Sequence, residues 1–336
     1  MGVGTTIKDR VLSGMQPSGA LHIGNWMGAL ENWVKIQEEF ESYFMVADYH
    51  SLTTGYHDTH DLPQKIFDMV VDWLAAGLDP ERSIIFRQSM VAEHAELHLL
   101  LSMITPLGWL ERVPSYKEKL KELAQRDIHT YGFLGYPVLQ SADIVLYQAH
   151  KVPVGQDQVP HVELTREIVR RFNGLYGEVL VEPEAVLTEA RVLPGVDGKK
   201  MSKSYGNTLS LGESEEALSQ KIRTMVTDPA RIRRKDPGHP QLCPVFSLHK
   251  VFTDAERVRD IDRSCQEASI GCVDCKALVS SAINLKLHPI RERRSLWKSQ
   301  PDKVEEILHE GARTAKVMAH QTLDAVKDAM HLNTLT

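Results

Sequence analysis

Two short clusters carry residue types suited to handling phosphate. The first, His22-Ile23-Gly24-Asn25, follows the run Leu12-Ser13-Gly14-Met15-Gln16-Pro17-Ser18-Gly19 and reads as a strand, a Pro/Gly turn and the opening of a helix. A helix opening offers free N–H donors and positive partial charge to an anion. His22 and Asn25 are three apart and share a helical face, while Gly24 leaves room for a flat ring against the backbone. A capping or packing histidine fits the same text. The second cluster, Gly198-Lys199-Lys200-Met201-Ser202-Lys203-Ser204, sets Lys200 and Lys203 three apart among small and hydroxyl residues. Such a loop suits a mobile clamp on a triphosphate, whose charge grows at the bridging oxygen as pyrophosphate leaves. A solvated basic loop has the same composition. The pairing tilts the balance: one motif follows the first strand and the other the last sheet region, so a parallel sheet brings both to its carboxyl edge.

A third constellation is the cysteines. The chain has four, Cys243, Cys265, Cys272 and Cys275, all in one stretch and including a C-x-x-C pair. Four thiols with none left over match a closed four-cysteine site, for zinc or for an iron–sulfur cluster; four free buried cysteines are the alternative. Their uneven distribution argues against a disulfide framework spanning the fold. The nearby Arg231, Arg233, Arg234 and Lys235 form either a basic patch for nucleic-acid phosphates or a solvated loop.

The elements that must position these groups show in the rhythm of the chain. Tyr43 to Ala47 is followed by the amphipathic Leu62 to Leu78, and Ser83 to Phe86 by Ala92 to Ile104, which is the pattern of βα units on a parallel sheet. After Glu213 the text turns almost wholly helical, with Pro229, Pro237, Pro240 and Pro244 marking one loop-rich interruption. The expected architecture is α/β: a Rossmann-like nucleotide-binding domain over 1–211, then an α-helical domain over 212–336. Apolar content of 42% and charged content of 25% over 336 residues suit a globular chain of about two domains and exclude wholesale disorder. A net charge of -6 excludes a protein that coats nucleic acid through its whole surface. No window approaches the roughly 18 apolar residues of a membrane span, so the expected location is cytoplasmic.

With both motifs in view, the sequence resembles the class I aminoacyl-tRNA synthetases throughout its length, His-Ile-Gly-Asn and Lys-Met-Ser-Lys-Ser matching their two signatures. Asn25 replaces the commoner second histidine, a variation familiar in the tryptophanyl branch. The resemblance implies that His22, Asn25, Lys200 and Lys203 stabilise the transition state as an amino-acid carboxylate attacks the α-phosphate of ATP. It places Gln16, Pro17, Ser18, Gly24, Met201, Ser202 and Ser204 around ATP, Val192 against the adenine, and Gly155, Gln156 and Asp157 at the ribose. Mg2+ is expected to accompany the ATP.

Tyr136-Pro137-Val138-Leu139-Gln140-Ser141-Ala142-Asp143 resembles the amino-acid pocket of the tyrosyl and tryptophanyl branches. Gln140 and Asp143 share a helical face. A buried carboxylate needs a donor, and an indole N–H is a donor without acceptor character. Leu12 stands where tyrosyl enzymes place the tyrosine that bonds the phenol, and an apolar wall there favours L-tryptophan. The run Val154 to Arg166 is similar to the tryptophanyl branch, which implies Gln158 and Tyr136 at the substrate ammonium. His50, ending the second predicted strand, either reaches the substrate or is a satisfied core histidine. Lys119 either approaches the pyrophosphate or lies on a solvated helical face. Cys243-Pro244 with Ile270 to Lys276 resembles a bacterial tryptophanyl subset carrying a [4Fe–4S] cluster, which makes the cluster the expected occupant and Zn2+ the alternative. The implied reaction is that of a tryptophan–tRNA ligase: tryptophanyl-adenylate formation, then transfer to the 3' end of tRNA(Trp). A segment inserted at about 94–170 is expected to form a homodimer interface, with each tRNA lying across both subunits.

Overall fold

The computed structural model describes residues 8–114, 116–117, 129–188 and 192–333, and of Ser204 only the backbone. Lys119 lies outside the described residues. Five strands form one parallel sheet: β1 (Arg10–Met15), β2 (Glu41–Val46), β3 (Ser83–Arg87), β4 (Lys151–Val154) and β5 (Glu184–Leu187), in the order β3-β2-β1-β4-β5. Leu12 pairs with Tyr43, Tyr43 with Ile84, and Val11 with Lys151. The chain therefore builds β1, β2 and β3 in one direction and returns for β4 on the other side of β1. That reversal opens a crevice beyond the carboxyl ends of β1 and β4, where α/β sheets bind ligands.

Helices cover both faces, which is why the strands read as nearly continuous apolar runs. Helix α1 (Ile23–Asn25) passes through a π-helical stretch, Trp26–Leu30, into α2 (Glu31–Glu39). Helix α3 (Asp48–Gly55) follows β2, so the segment read as a strand reaching His50 ends at Val46 and turns helical. The turn comes from Asp48, whose Oδ1 accepts from the N–H groups of Tyr49 and Ser89, 3.1 and 2.9 Å away. Helix α4 (Leu62–Ala76) has Pro63 in its first turn and ends on Gly77, left-handed at φ 115°, where glycine alone is unstrained. Its apolar face carries Trp73 into Trp33, edge-on at 5.1 Å, and Trp33 stacks on Phe44 of β2 at 4.8 Å. Removing a buried tryptophan of this kind costs about 3–5 kcal/mol.

Helices α5 (Glu93–Ile104), α6 (Leu107–Leu110), α7 (Tyr131–Leu146) and α8 (Val159–Tyr176) pack together and onto the other face of the sheet. Helix α7 is buried almost all round and keeps Pro137 in its interior, with Ser141 Oγ donating to the Pro137 carbonyl at 2.9 Å. Beyond Leu211 come α9 (Glu215–Thr224), the Pro-rich interruption, α10 (Pro244–Phe252), α11 (Ala255–Gln266), α12 (Cys272–Lys298) and α13 (Pro301–Ala329). Val279, Ile283 and Leu287 of α12 share one apolar core with α4 and Trp33. Helix α13 runs back along β3, an end strand of the sheet. Its small face, Gly311, Ala312, Ala315 and Ala319, lets it lie so close that a Cβ on Gly311 would overlap the Ile85 carbonyl. No helix among the described residues is long and apolar enough to cross a membrane.

Candidate active site

The first motif is held in place by its own side chains. His22 caps α1: its Nδ1 accepts from the Asn25 N–H, and Asn25 Oδ1 accepts from the His22 N–H, both at 3.2 Å. A ring nitrogen that accepts is unprotonated, so the proton of the neutral ring sits on Nε2. Burial, then the nearby positive charge of Lys203, lower His22 to about 4. The ring is therefore neutral at pH 7 and offers one N–H. Gly24 allows this geometry, since a Cβ there would sit 2.9 Å from His22 Nδ1.

The lysine loop follows β5. Its base is pinned by Asn207, whose Oδ1 accepts from the Ser202 N–H at 2.8 Å while its Nδ2 donates to Asp197 at 2.7 Å and to the Lys200 carbonyl at 3.1 Å. Lys203 Nζ crosses to the first motif, donating to Ser18 Oγ at 3.0 Å and to the Gly19 carbonyl at 2.8 Å. Burial lowers Lys203 to about 8, against the upward pull of Asp72. The two motifs are thus on one side of the molecule and in contact.

They border a cleft of about 1030 Å³ at the crevice between β1 and β4, ample for a nucleotide beside an amino acid. Gln16, Ser18, His22, Gly24, Asn25, Val192, Lys200, Met201, Ser202 and Lys203 line one end, and Gly155, Asp157 and Gln158 line the wall after β4. Leu12, His50, Tyr136, Gln140 and Asp143 line the other end. Pro17 and Gln156 belong to the same turns without lining the cleft.

Asp143 is 2% exposed and holds three donors. His50 Nε2 meets Oδ2, and Gln88 Nε2 and His94 Nδ1 meet Oδ1, each at 2.7 Å. Burial raises its pKa, but the charge and hydrogen bonds of His50 and His94 outweigh it and hold the carboxyl below the usual carboxylate range. His94 Nε2 continues to the Tyr147 hydroxyl at 2.8 Å, and Tyr147 stacks on Tyr43 at 4.7 Å. A carboxylate has about four acceptor directions, and among the described residues three are filled, two on Oδ1 and one on Oδ2. His50 is thus a satisfied histidine that also faces the cleft. Gln88 and His94 went unnoticed in the sequence because no local spacing links them to Asp143, 55 and 49 positions away.

The cysteine quartet gathers in the C-terminal helices. Arg231 is turned inward rather than lying in a solvated basic patch: it is 9% exposed, its Nη2 donates to the carbonyls of Arg234 and Ile270 at 2.8 Å, and its Nη1 lies 3.7 and 3.9 Å from the sulfurs of Cys265 and Cys272. Unfilled carbonyls and two soft acceptors draw the guanidinium in. Burial, then the three other thiols, push Cys275 up to about 12. The four sulfurs share one neighbourhood, yet no group of three or more His, Cys, Asp or Glu side chains among the described residues is arranged to hold a metal ion.

Known proteins resemble this chain in sequence and in fold. The family model for class I tRNA synthetases of the tryptophan and tyrosine type (W and Y) matches residues 6–288. The tryptophan–tRNA ligase of Thermotoga maritima is 53% identical over 325 residues, 96% of this chain and 99% of that protein. That of Aquifex aeolicus is 43% identical, covering 96% of this chain and 100% of its own. The crystal structure of the Campylobacter jejuni tryptophanyl-tRNA synthetase, complexed with ADP and tryptophan, matches with a TM-score of 0.87 at 36% identity, over 96% of this chain and 100% of that one. With the two signature motifs in contact across a crevice of a parallel sheet, and relatives of this likeness along nearly its whole length, the chain belongs to the class I tRNA synthetases and, within them, to the tryptophan–tRNA ligases.

Proposed function

We propose that the cleft joins L-tryptophan to ATP and then passes the tryptophanyl group to the 3' end of tRNA(Trp). The observation that carries this reading is the contact of the Lys203 loop with the turn of His22, at one end of a cleft whose other end holds Asp143. In activation, a carboxylate oxygen of tryptophan attacks the α-phosphorus, the bond to the bridging oxygen breaks, and pyrophosphate leaves with the electron pair. His22, through Nε2–H, and Asn25 meet the phosphate oxygens, while Lys200 and Lys203 meet the charge that develops on the leaving group. No covalent enzyme intermediate is involved. The motif side chains at the phosphate end are donors rather than carboxylates, so Mg2+ would be held by the phosphates and supply charge neutralisation there.

At the far end, the fourth acceptor direction, on Asp143 Oδ2, suits the indole N–H, with Leu12 as apolar wall and with Gln140, Tyr136 and Gln158 toward the polar atoms of the amino acid. A phenol presented to the same wall lacks the tyrosyl branch's hydroxyl partner. Amino-acid-dependent ATP–pyrophosphate exchange tests the reading: exchange with tryptophan supports it, and exchange with tyrosine but not tryptophan overturns it.

The same reading assigns catalysis to 1–211 and anticodon contact to 212–336. Leu99, Met103 and Leu107, between 52% and 69% exposed on α5 and α6, suit the face of a homodimer; sedimentation as a monomer at working concentration would refute that. Cytoplasmic location accords with a tRNA substrate. For the cysteine quartet, the inward Arg231 would offset the negative charge of a thiolate-bound [4Fe–4S] cluster that orders the anticodon-facing helices. Iron and acid-labile sulfide after anaerobic purification would support the cluster, and stoichiometric Zn2+ without iron would replace it.

A further inference from the structure

One buried carboxylate stands outside the cleft and, beyond its electrostatic pull on Lys203, has no role in the chemistry above. Asp72, on α4, is fully buried; its Oδ2 accepts from the Leu21 N–H at 2.7 Å and its Oδ1 from Arg294 Nε at 2.6 Å. Leu21 immediately precedes His22. Its carbonyl is also taken, by the N–H of Leu211 at 2.9 Å, and the next pairing in that short ladder runs from the Ile23 N–H to the Leu209 carbonyl at 2.9 Å. The backbone entering the first motif is therefore gripped on one side by Asp72 and on the other by the segment that leaves the lysine loop.

Arg294 touches both grips. Its guanidinium lies so close over Gly212 that a Cβ there would be 2.7 Å from Cζ, while its Nη2 reaches Asp68 at 3.5 Å. Arg294 belongs to α12, the helix that begins with Cys272 and Cys275. An ion pair buried this deeply adds little net stability over an apolar pair of the same shape, but it fixes one relative position of the groups it joins. Both of its ends here are occupied by that task.

We propose that Asp72 and Arg294 are a positioning pair: they set where His22 and Asn25 stand against the nucleotide, and they tie that placement to helix α12 of the C-terminal region. The inference rests on His22 and Asn25 being phosphate contacts. A shift of the Leu21 backbone would carry His22 with it, and a displacement of about an ångström in such a group lowers the rate by up to about a hundredfold.

The test is tryptophan-dependent ATP–pyrophosphate exchange, with melting temperature measured alongside. Arg294→Ala is expected to raise the KM for ATP and lower kcat by about tenfold or more together, leaving the KM for tryptophan within about twofold. Arg294→Lys, which keeps the charge, is expected to fall between. Gly212→Ala, which pushes the guanidinium aside without removing it, is expected to show the same ATP defect and stands in if Arg294→Ala does not fold. Arg293→Ala cuts a neighbouring contact between the same helices, Nε to the Ala75 carbonyl at 2.6 Å, and is expected to lower the melting temperature while sparing the ATP kinetics. Activity that falls in step with melting temperature in both arginine variants, or ATP kinetics unchanged in Arg294→Ala and Gly212→Ala, would overturn the pair's role. A fully active His22→Ala would instead refute the phosphate role of the turn itself, and with it the basis of the proposal.

Discussion

Lys203 Nζ donates to the Gly19 carbonyl at 2.8 Å, so the loop after β5 rests on the turn that leads into His22. On the proposed function, a triphosphate would offer Lys203 charged acceptors in place of two neutral ones, Ser18 Oγ and Gly19 O. That exchange is favourable because hydrogen bonds to ionised oxygens are roughly twice as strong as neutral ones.

Lys203→Ala is accordingly expected to slow adenylate formation by about a hundredfold while tryptophan binding stays unchanged. The pH dependence follows from its depressed pKa. Burial lowers Lys203 to about 8, so the free enzyme loses this charge as pH rises through about 8, and kcat/KM for ATP should fall there. Exchange kinetics between about pH 6.5 and 9.5 check this, and a profile flat across that window would contradict the charge's role.

Gly24→Ala places a methyl against the His22 ring. The ring must tilt, which would turn its Nε2–H from the phosphate position of the proposed function, and kcat for exchange should drop about tenfold or more with little loss of stability. Pre-steady-state adenylate formation alongside thermal melting separates the two effects.

His94→Ala leaves Asp143 Oδ1 with one donor and strands the Tyr147 hydroxyl. Breaking a buried charged contact of this sort costs about 3–5 kcal/mol. The KM for tryptophan should rise far more than the KM for ATP, and equal increases would remove His94 from the indole end of the cleft.

Stability should depend on pH through His22. In the native chain the ring stays neutral until about 4, whereas an unfolded histidine protonates near its ordinary 6.5. Between those values the unfolded state binds the extra proton, so stability falls as pH drops through that window. Urea unfolding at pH 7 and pH 5 should show a smaller loss on acidification in His22→Asn than in the parent chain.

The parts legible in the sequence were those whose logic is local. His22 and Asn25 three apart, Lys200 and Lys203 three apart, and Gln140 with Asp143 on one helical face all declare themselves by spacing, and the parallel sheet follows from the alternation of short apolar runs with amphipathic ones. The donors around Asp143 come instead from three separate elements, which only the topology brings together. Arg231 shows the other limit. Composition counts its charge but gives no direction, and the guanidinium turns inward because carbonyls and thiols await it. Asn207, which pins the lysine loop from just beyond it, carries no charge or motif to betray it.

The packing of α13 along β3 has a consequence for how the chain is made. An end strand with nothing beside it is a template for stray pairing with other chains. Here its guard is encoded far downstream, so during translation the half-built sheet presents a bare flank until the helix bearing Gly311 emerges from the ribosome. A chain interrupted before Pro301 would lack that guard and be left sticky rather than merely inactive.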